Sequence, residues 1–320
     1  MKSSIPKTSQ SQYNILDPAP HTLHKCQSAE EFRVGLESTT GRSLQQIMDD
    51  LIHTDAPRAL FSVGSIPLGM GTCGSDVDLI LLVDSKEALV NQEVSIVNDG
   101  QRAVFVNETD PLLVGNFLQL HQGVLVEVQV AVTPAIRAVY DRLRRRSPEL
   151  SETEIRTLGR LRAGWLLWET EDYLNRSSLN RNDRALQIYC CTKTFVTALT
   201  HQRKAAQALE FGDIALALHL GRASVEMAYL AYFASEGHVY LGVKWLAQLG
   251  FARGAHDRLI RYPLLKENLR LLFPVFEATD TEAKHYLREV GEFLKSIRNL
   301  IEQQLAFRIA FKACAQIAAA

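Results

Sequence analysis

The sequence predicts an α/β half followed by an all-helical bundle. One observation is that short branched-apolar runs bounded by turn residues, typical of strands, lie before residue 133. A second is that apolar residues beyond that point recur at helical three- and four-residue steps. The third is the length, since 320 residues leave room for two domains. The predicted strands are Ala59–Gly64, Val77–Val83, Arg102–Asn107 and Val124–Val132.

The first half is predicted to begin with a tail and two helices. Residues 1–26 are polar and rich in Ser, Gln and Pro, which is typical of a flexible or surface-draped tail. The stretch SAEEFRVGLE offers a serine N-cap and acidic residues in the first turn, which favour a helix. A second helix is predicted over Ser43–His53, and Pro111–Leu120 is interpreted as partly helical. Residues 27–145 then form the predicted catalytic domain.

The second half, residues 146–320, is predicted to be a helical substrate-binding domain. It is preceded by TPAIRAVYDRLRRR, a helix with proline near its first position and a cationic last turn. No further strand is expected after Thr133. The predicted helices are Ser151–Leu174, Asn182–Leu209, Asp213–Ser235, Tyr240–Leu249 and Thr281–Cys314.

The composition is typical of a soluble globular protein. Hydrophobic residues make up 47% and charged residues 22% of the chain, and the formal net charge of −1 provides no global attraction for nucleic acid. The five cysteines show no metal-ligand spacing and indicate a reducing compartment. Neither a membrane-spanning run nor the apolar core of a signal peptide is apparent, so a cytoplasmic location without membrane contact is expected.

Two carboxylates interrupt the predicted strand Val77–Val83 and its approach. Asp76 and Asp78 lie two residues apart, so an extended chain projects both to one side, while Val77 and Leu79 point to the other. Carboxylates roughly 6–7 Å apart on one strand repel each other unless a cation lies between them. Oxygen ligands on one face suit Mg²⁺, which takes its remaining ligands from water and substrate phosphates. An acidic turn that merely leads into a strand is the alternative.

Gly64-Ser65 has the complementary chemistry. Glycine allows the backbone to approach a phosphate closely, Ser65 adds a hydroxyl donor, and the following segment is expected to begin as a helical turn with free N–H groups. Glu127, in VLVEVQV, is the candidate third carboxylate of a two-metal arrangement. Leu125, Glu127 and Gln129 share one face of that strand, so Gln129 can also reach a substrate. An exposed face of an edge strand is the alternative for Glu127.

These residues resemble a family signature. Gly64-Ser65, the ten-residue spacer Ile66–Ser75 and Asp76-Val77-Asp78-Leu79 resemble the pattern hG[GS]…Dh[DE]h of the nucleotidyltransferase fold, the polymerase-beta-like superfamily. TCGSDVDL resembles the T-x-x-S-D-x-D-L version found in antibiotic nucleotidyltransferases and nucleotide-second-messenger synthases. The resemblance implies an α+β or α/β fold with a mixed sheet and flanking helices, followed by an all-helical bundle. It also implies that Gly64 and Ser65 hold a triphosphate, and that Asp76, Asp78 and the third acid Glu127 bind Mg²⁺, with two ions expected.

The helical half is similar to the bundle that antibiotic nucleotidyltransferases attach to this catalytic domain, with substrate bound in the cleft between them. In such proteins a lysine contacts the triphosphate, and GVKWLAQLG makes Lys244 the candidate here. An exposed helix lysine is the alternative for Lys244. Arg222 and Lys193 are further candidates.

The expected activity is Mg²⁺-dependent transfer of a nucleoside monophosphate from a nucleoside triphosphate, with ATP favoured, to a hydroxyl or other nucleophile of a small molecule. A cyclic oligonucleotide synthase, or a toxin-like enzyme acting on transfer RNA or protein, shares the motif and stays open. The arginines of Arg142–Arg146, with Arg156, Arg160 and Arg162, are what a nucleic-acid rim would use. A non-catalytic nucleotide-binding scaffold is disfavoured, because the acidic positions are filled. The long helices can form a homodimer interface.

Overall fold

The computed structural model describes residues 21–51, 57–86, 102–106, 110, 112–145, 149–177, 179, 183–239, 268–273, 279–304 and 306–311. Six strands form one sheet in the order β3-β4-β5-β2-β1-β6, in which β2 and β5 are parallel and every other pair is antiparallel. Helices flank this mixed sheet and a helical region follows it, so the predicted fold class is confirmed. The strands are β1 Pro57–Val63, β2 Val77–Val83, β3 Arg102–Val106, β4 Leu113–His121, β5 Val124–Val132 and β6 Trp165–Glu169.

The helices begin where the sequence supplies caps. Ser28 accepts a hydrogen bond from the Glu31 amide, and Ser151 forms a reciprocal capping box with Glu154. Proline lies in the first turn of α3, as predicted. The helices are α1 Ala29–Thr40, α2 Leu44–Leu51, α3 Thr133–Arg144, α4 Glu152–Ala163, α5 Tyr173–Arg176, α6 Arg184–Glu210, α7 Ile214–Ser235 and α8 Asp280–Glu302.

Strand β4 replaces the partly helical segment predicted over Pro111–Leu120. The residues LVGNFLQLH pair with β5 through a hairpin that turns at Gln122 and Gly123, whose φ angles are 48° and 83°. Two consecutive positive φ angles match the twist of paired strands and connect them directly. The prediction of a partly helical segment was therefore wrong, and Gln-Gly is an unusual choice for this turn, so no typical turn pair marks the hairpin in the sequence.

Strand β6 interrupts the helix predicted over Ser151–Leu174. Helix α4 ends at Ala163, and Gly164 is extended, with φ −71° and ψ 153°. A Cβ at Gly164 would lie 2.7 Å from the carbonyl oxygen of Ser62, so glycine allows the chain to come close to β1 before it pairs with it. The expectation that strands stop at Thr133 was therefore wrong. Strand β6 lies after residue 145, and the domain boundary at this residue stays a prediction.

The two faces of the sheet belong to two separate apolar clusters. One face packs against α1 and α2 and buries Leu79 and Val128 together with Phe32. The other, here called the bundle face, buries Phe61 and Ile80 in one cluster with the helical region. Strand alternation therefore assigns every second residue of β1, β2 and β5 to the bundle face.

The long helices α6 and α7 confirm two of the predicted helices. Helix α8 begins where the prediction placed it but ends at Glu302, and a turn at residues 303–304 separates it from the helical residues 306–311, so the single helix predicted over Thr281–Cys314 was wrong. The helix predicted over Tyr240–Leu249 lies outside the described residues. The last residues of the predicted tail, 21–26, include His21 and Leu23, which are buried, and a 3-10 turn at Leu23–Lys25. None of the helices in the described ranges has the length and apolarity needed to cross a bilayer.

A polar cluster joins the start of β1, the end of β2 and α5. Arg58 Nε lies 2.7 Å from Asp84 Oδ2, and the Tyr173 hydroxyl donates to the other carboxylate oxygen. Burial opposes ionisation of Asp84, but the hydrogen bonds from Tyr173 and Arg58 and the charges of Arg58 and Arg137 outweigh it. The pKa of Asp84 consequently lies below its ordinary value of 3.8.

We expect Asp84→Asn to destabilise the fold at neutral pH. A carboxyl whose pKa is lowered by folding stabilises the folded state above its unfolded pKa, and this stabilisation is lost as the pH falls through the folded value. Urea unfolding at several pH values should show a difference from wild type that shrinks below 3.8. Glu171→Gln is the control, since the Glu171 side chain is 83% exposed. A difference independent of pH would contradict this assignment.

Candidate functional site

Gly64 and Asp78 meet where β1 ends and β2 begins. Val63 is paired with Asp78 in the antiparallel register, so Gly64 follows directly beside the carboxylate. Gly64 has a φ of +78°, and a Cβ at this position would lie 2.1 Å from Asp78 Oδ2. Only glycine fits, because a side chain would be strained and would also collide with the carboxylate.

Ser65 continues this approach as a tight turn. Ser65 is only 6% exposed, and its carbonyl oxygen accepts a hydrogen bond of 2.8 Å from the Met70 amide. Gly69 N likewise donates to Ile66 O at 2.8 Å. Residues 64–69 therefore form consecutive turns, which corrects the helical turn expected here. These two backbone hydrogen bonds can form within such a short segment because Gly64 and Gly69 both have positive φ angles, which glycine adopts without strain.

The two aspartates have different environments. Asp76 is exposed and immediately precedes β2, whereas Asp78 is half-buried on the bundle face of the strand. Val77 and Leu79 are 0% and 1% exposed in the opposite cluster, as the alternation predicted. The buried apolar residues fix the register, and the register presents Asp78 to the bundle face.

Glu127 lies beside Asp78 on the parallel strand β5, and the two residues are register partners. Paired residues of neighbouring strands share a face, so both carboxylates belong to the bundle face. Glu127 Oε1 accepts two hydrogen bonds, from Asn116 Nδ2 at 2.9 Å and from Gln129 Nε2 at 3.0 Å. Among the described residues, Oε2 has no hydrogen-bond partner and is not a fully buried atom.

The amides of Asn116 and Gln129 are oriented by the Glu127 carboxylate. If either amide were flipped, its oxygen would face Glu127 Oε1 and the two oxygens would repel each other. In the observed orientation Asn116 Oδ1 and Gln129 Oε1 are buried and find no hydrogen-bond partner in the described part of the chain. Buried acceptors without partners are uncommon and favour a site that binds a donor or a cation.

The predicted acidic residues do not form a ready-made metal cage. No group of three or more His, Cys, Asp or Glu side chains within the described ranges is close enough to hold a metal ion. Asp78, Glu127 and the unpartnered amide oxygens are nevertheless all hard oxygen donors on one face. Such a set fits Mg²⁺, which binds through one or two carboxylates and completes its shell with water and substrate phosphates.

Asn116 is the residue that sequence analysis missed. Asn116 and Leu118 occupy one face of β4, opposite Gln129 and Glu127 of β5. Polar and apolar residues do not alternate strictly in LVGNFLQLH, so the sequence gives no clear signal for this strand, and the segment was interpreted as partly helical. Two cavities lie elsewhere, one of about 360 Å³ beside α1 and α2 and one of about 560 Å³ around Arg58 and Asp84.

The two cationic candidates that the structure describes are paired with other residues. Lys244 lies outside the described residues. Arg222 pairs with Glu226 at 3.0 Å, and Lys193 donates to Leu150 O at 3.3 Å. In the arginine cluster, Arg142 is paired with Glu154 and Arg144 with Asp183. These pairs neutralise part of the charge that a nucleic-acid rim would use.

Comparisons with known proteins found similar solved structures. One is a nucleotidyltransferase-like protein from Exiguobacterium sibiricum 255-15, with 14% identity over 82% of this chain and 75% of that chain and a TM-score of 0.42. Another is an aminoglycoside 6-adenyltransferase from Bacillus subtilis, with 12% identity over 74% of this chain and 93% of that chain and a TM-score of 0.17. No protein-family model matches the chain, and no curated protein matches it. At these TM-scores the likeness carries no argument about function.

We expect Gly64→Ala to destabilise the protein by about 1–2 kcal/mol from backbone strain alone, because a left-handed conformation disfavours any Cβ. Displacement of the Asp78 carboxylate adds to this cost. Gly74→Ala is the matched control, since Gly74 lies in the same loop and a Cβ there would meet nothing within 4 Å. Urea unfolding of the two variants measures the difference. Equal stability of Gly64→Ala and wild type would show that the close approach is absent.

Proposed function

We propose that this chain is an Mg²⁺-dependent nucleotidyltransferase that moves a nucleoside monophosphate from a nucleoside triphosphate to a hydroxyl or other nucleophile of a small molecule. The observation that carries the proposal is the contact between Gly64 and Asp78. It joins a turn suited to phosphate with a carboxylate suited to a metal, and Glu127 is the register partner of that carboxylate. A triphosphate and its cation need these two kinds of group side by side.

In this proposal the turn at Gly64 and Ser65 binds the triphosphate. Backbone N–H groups of a tight glycine turn can approach phosphate oxygens closely, and the Ser65 hydroxyl can donate another hydrogen bond. Lys244 stays a predicted further contact to the triphosphate. ATP is the favoured donor, and nothing in the described residues selects a base.

Asp76, Asp78 and Glu127 are the residues that would hold Mg²⁺, and two ions stay the prediction from the family resemblance. When bound, Mg²⁺ supplies positive charge that neutralises the triphosphate and the leaving pyrophosphate. The half-buried position of Asp78 excludes part of the solvent from this carboxylate. Partial exclusion of water strengthens its attraction to a cation.

Glu127 can also accept the proton of the attacking group. Oε1 is occupied by the two amide donors, so Oε2 is the atom available to a substrate hydroxyl. The acceptor oxygen forms a bond to the α-phosphorus while the bond from that phosphorus to the bridging oxygen breaks. Pyrophosphate leaves, and the hydroxyl proton moves to Glu127.

The first experiment is a pyrophosphate-release assay with Mg²⁺ and each of the four nucleoside triphosphates, without and with a small-metabolite extract. Release that requires the extract supports the small-molecule acceptor, and the mass of the new product identifies it. Release without any acceptor supports a cyclic oligonucleotide synthase instead. Release only with added transfer RNA or protein supports a macromolecular acceptor.

We expect Asp78→Asn and Glu127→Gln to lower turnover by about 100-fold or more, the scale that a positioned proton acceptor or metal ligand contributes. Glu210→Gln is the matched control, because Glu210 is exposed at the end of α6. Unfolding measurements must show that all three variants are folded. Full turnover of Asp78→Asn would rule out the proposed site.

A further inference from the structure

The N-terminal segment 21–26 contacts the loop that precedes Asp76. The His21 backbone N–H donates to Cys73 O at 2.7 Å, and its side-chain Nε2 donates to Ser75 O at 2.7 Å. Ser75 is the residue directly before Asp76. One residue of the segment therefore binds the loop twice, across 54 positions of the chain at the side-chain contact.

Both nitrogens of the His21 ring are used. Because a carbonyl oxygen can only accept, Nε2 carries the proton, and Nδ1 accepts a hydrogen bond from Leu23 N at 3.2 Å. The residue is 5% exposed, so its hydrogen bonds are shielded from water. A buried side chain with every polar atom paired holds one geometry, since any other arrangement leaves a partner unsatisfied.

The loop has internal bonds but few apolar anchors. Ser75 Oγ accepts from Thr72 N at 2.8 Å, and Ser75 N donates to Thr72 O at 3.0 Å. These bonds shape residues 72–75 as a turn, while Thr72, Cys73 and Gly74 are exposed. The turn by itself does not fix its position relative to the sheet, so the His21 bonds supply an external anchor.

The segment is itself fixed to the protein by packing. Leu23 is 0% exposed and belongs to the apolar cluster that contains Ile66 and Val77. A Cβ at Gly71 would lie 3.1 Å from His24 Cβ, so segment and loop are in close contact there as well. The anchor therefore connects the hydrophobic core to the residue before Asp76.

We propose that His21 is a positioning residue that holds the loop 72–76 and thereby Asp76 at the metal-binding edge of the site. The contacts between His21 and the loop are independent of the proposed function, whereas the role of Asp76 rests on it. The segment that sequence analysis assigned to a tail is then part of the site's supporting structure.

Two substitutions separate the two ring nitrogens. In His21→Asn the side-chain oxygen can still accept from Leu23 N, as in an Asx turn, but the shorter side chain cannot reach Ser75 O. In His21→Gln the amide nitrogen lies near the position of Nε2 and can donate to Ser75 O. The first variant therefore keeps the local turn and the backbone bond to Cys73 O but loses the side-chain bond to Ser75 O, while the second keeps both bonds to the loop. His219→Gln, at an exposed position on α7, is the matched control.

Hydrogen exchange of the peptides that cover residues 66–80 tests the anchor without any assay of activity. We expect exchange in His21→Asn to be about three- to tenfold faster than in wild type, the change that loss of one ordinary hydrogen bond produces. His21→Gln and His219→Gln should exchange at the wild-type rate. Unchanged exchange in His21→Asn would overturn the proposal, whether or not the protein turns over nucleotide.

Pyrophosphate release then tests the consequence for Asp76. His21→Asn should lower turnover by about 10- to 100-fold, and excess Mg²⁺ should restore part of it, because a poorly positioned Asp76 raises the Mg²⁺ concentration that the site requires. His21→Gln should recover most of the turnover. Faster exchange with unchanged turnover and Mg²⁺ requirement would overturn the positioning role. If wild type releases no pyrophosphate, the proposed function fails, and exchange alone decides whether His21 anchors the loop.

Discussion

The contact between Gly64 and the Asp78 carboxylate is the constraint on which the candidate site depends. It requires that β1 end at Val63, that the next residue have a positive φ, and that β2 begin one position before Asp78. A shift of one residue in this register would move Asp78 to the apolar face that Val77 and Leu79 now occupy, where an unpaired charge is costly. The burial of apolar residues within β1 and β2 therefore fixes the register that places Asp78 beside Gly64.

The parallel pairing of β2 and β5 extends this constraint to a second carboxylate. Since Asp78 and Glu127 are register partners, the burial of Val128 and Leu79 on the opposite face holds both acids on the bundle face. The antiparallel strand β4 then adds Asn116. Its side-chain amide and that of Gln129 both donate a hydrogen bond to Glu127 Oε1. The two amide donors bind Oε1, so Oε2 is the Glu127 oxygen without a hydrogen-bond partner among the described residues.

Elements distant in sequence supply the outer support. Strand β6 covers the edge of β1 after the close passage of Gly164, and the segment around His21 anchors the loop before Asp76. Both lie outside the motif that resembles the nucleotidyltransferase signature, yet both contact the strand or loop that carries it. The site is consequently a property of the whole sheet and its N-terminal packing, and not of the two short motifs alone.

The sequence by itself determined the order of strands followed by helices, the bounds of β2 and β5, and the face of Val77 and Leu79, because alternation and capping act over a few neighbouring residues. It did not determine β6, whose strand state comes from pairing with the distant strand β1, or β4, whose hairpin turn Gln122-Gly123 is not a typical turn pair. Asn116 was missed together with β4. Only the tertiary structure decided that Asp78 lies beside Glu127 and that His21 reaches Ser75, since register and long-range hydrogen bonds have no local sequence signal.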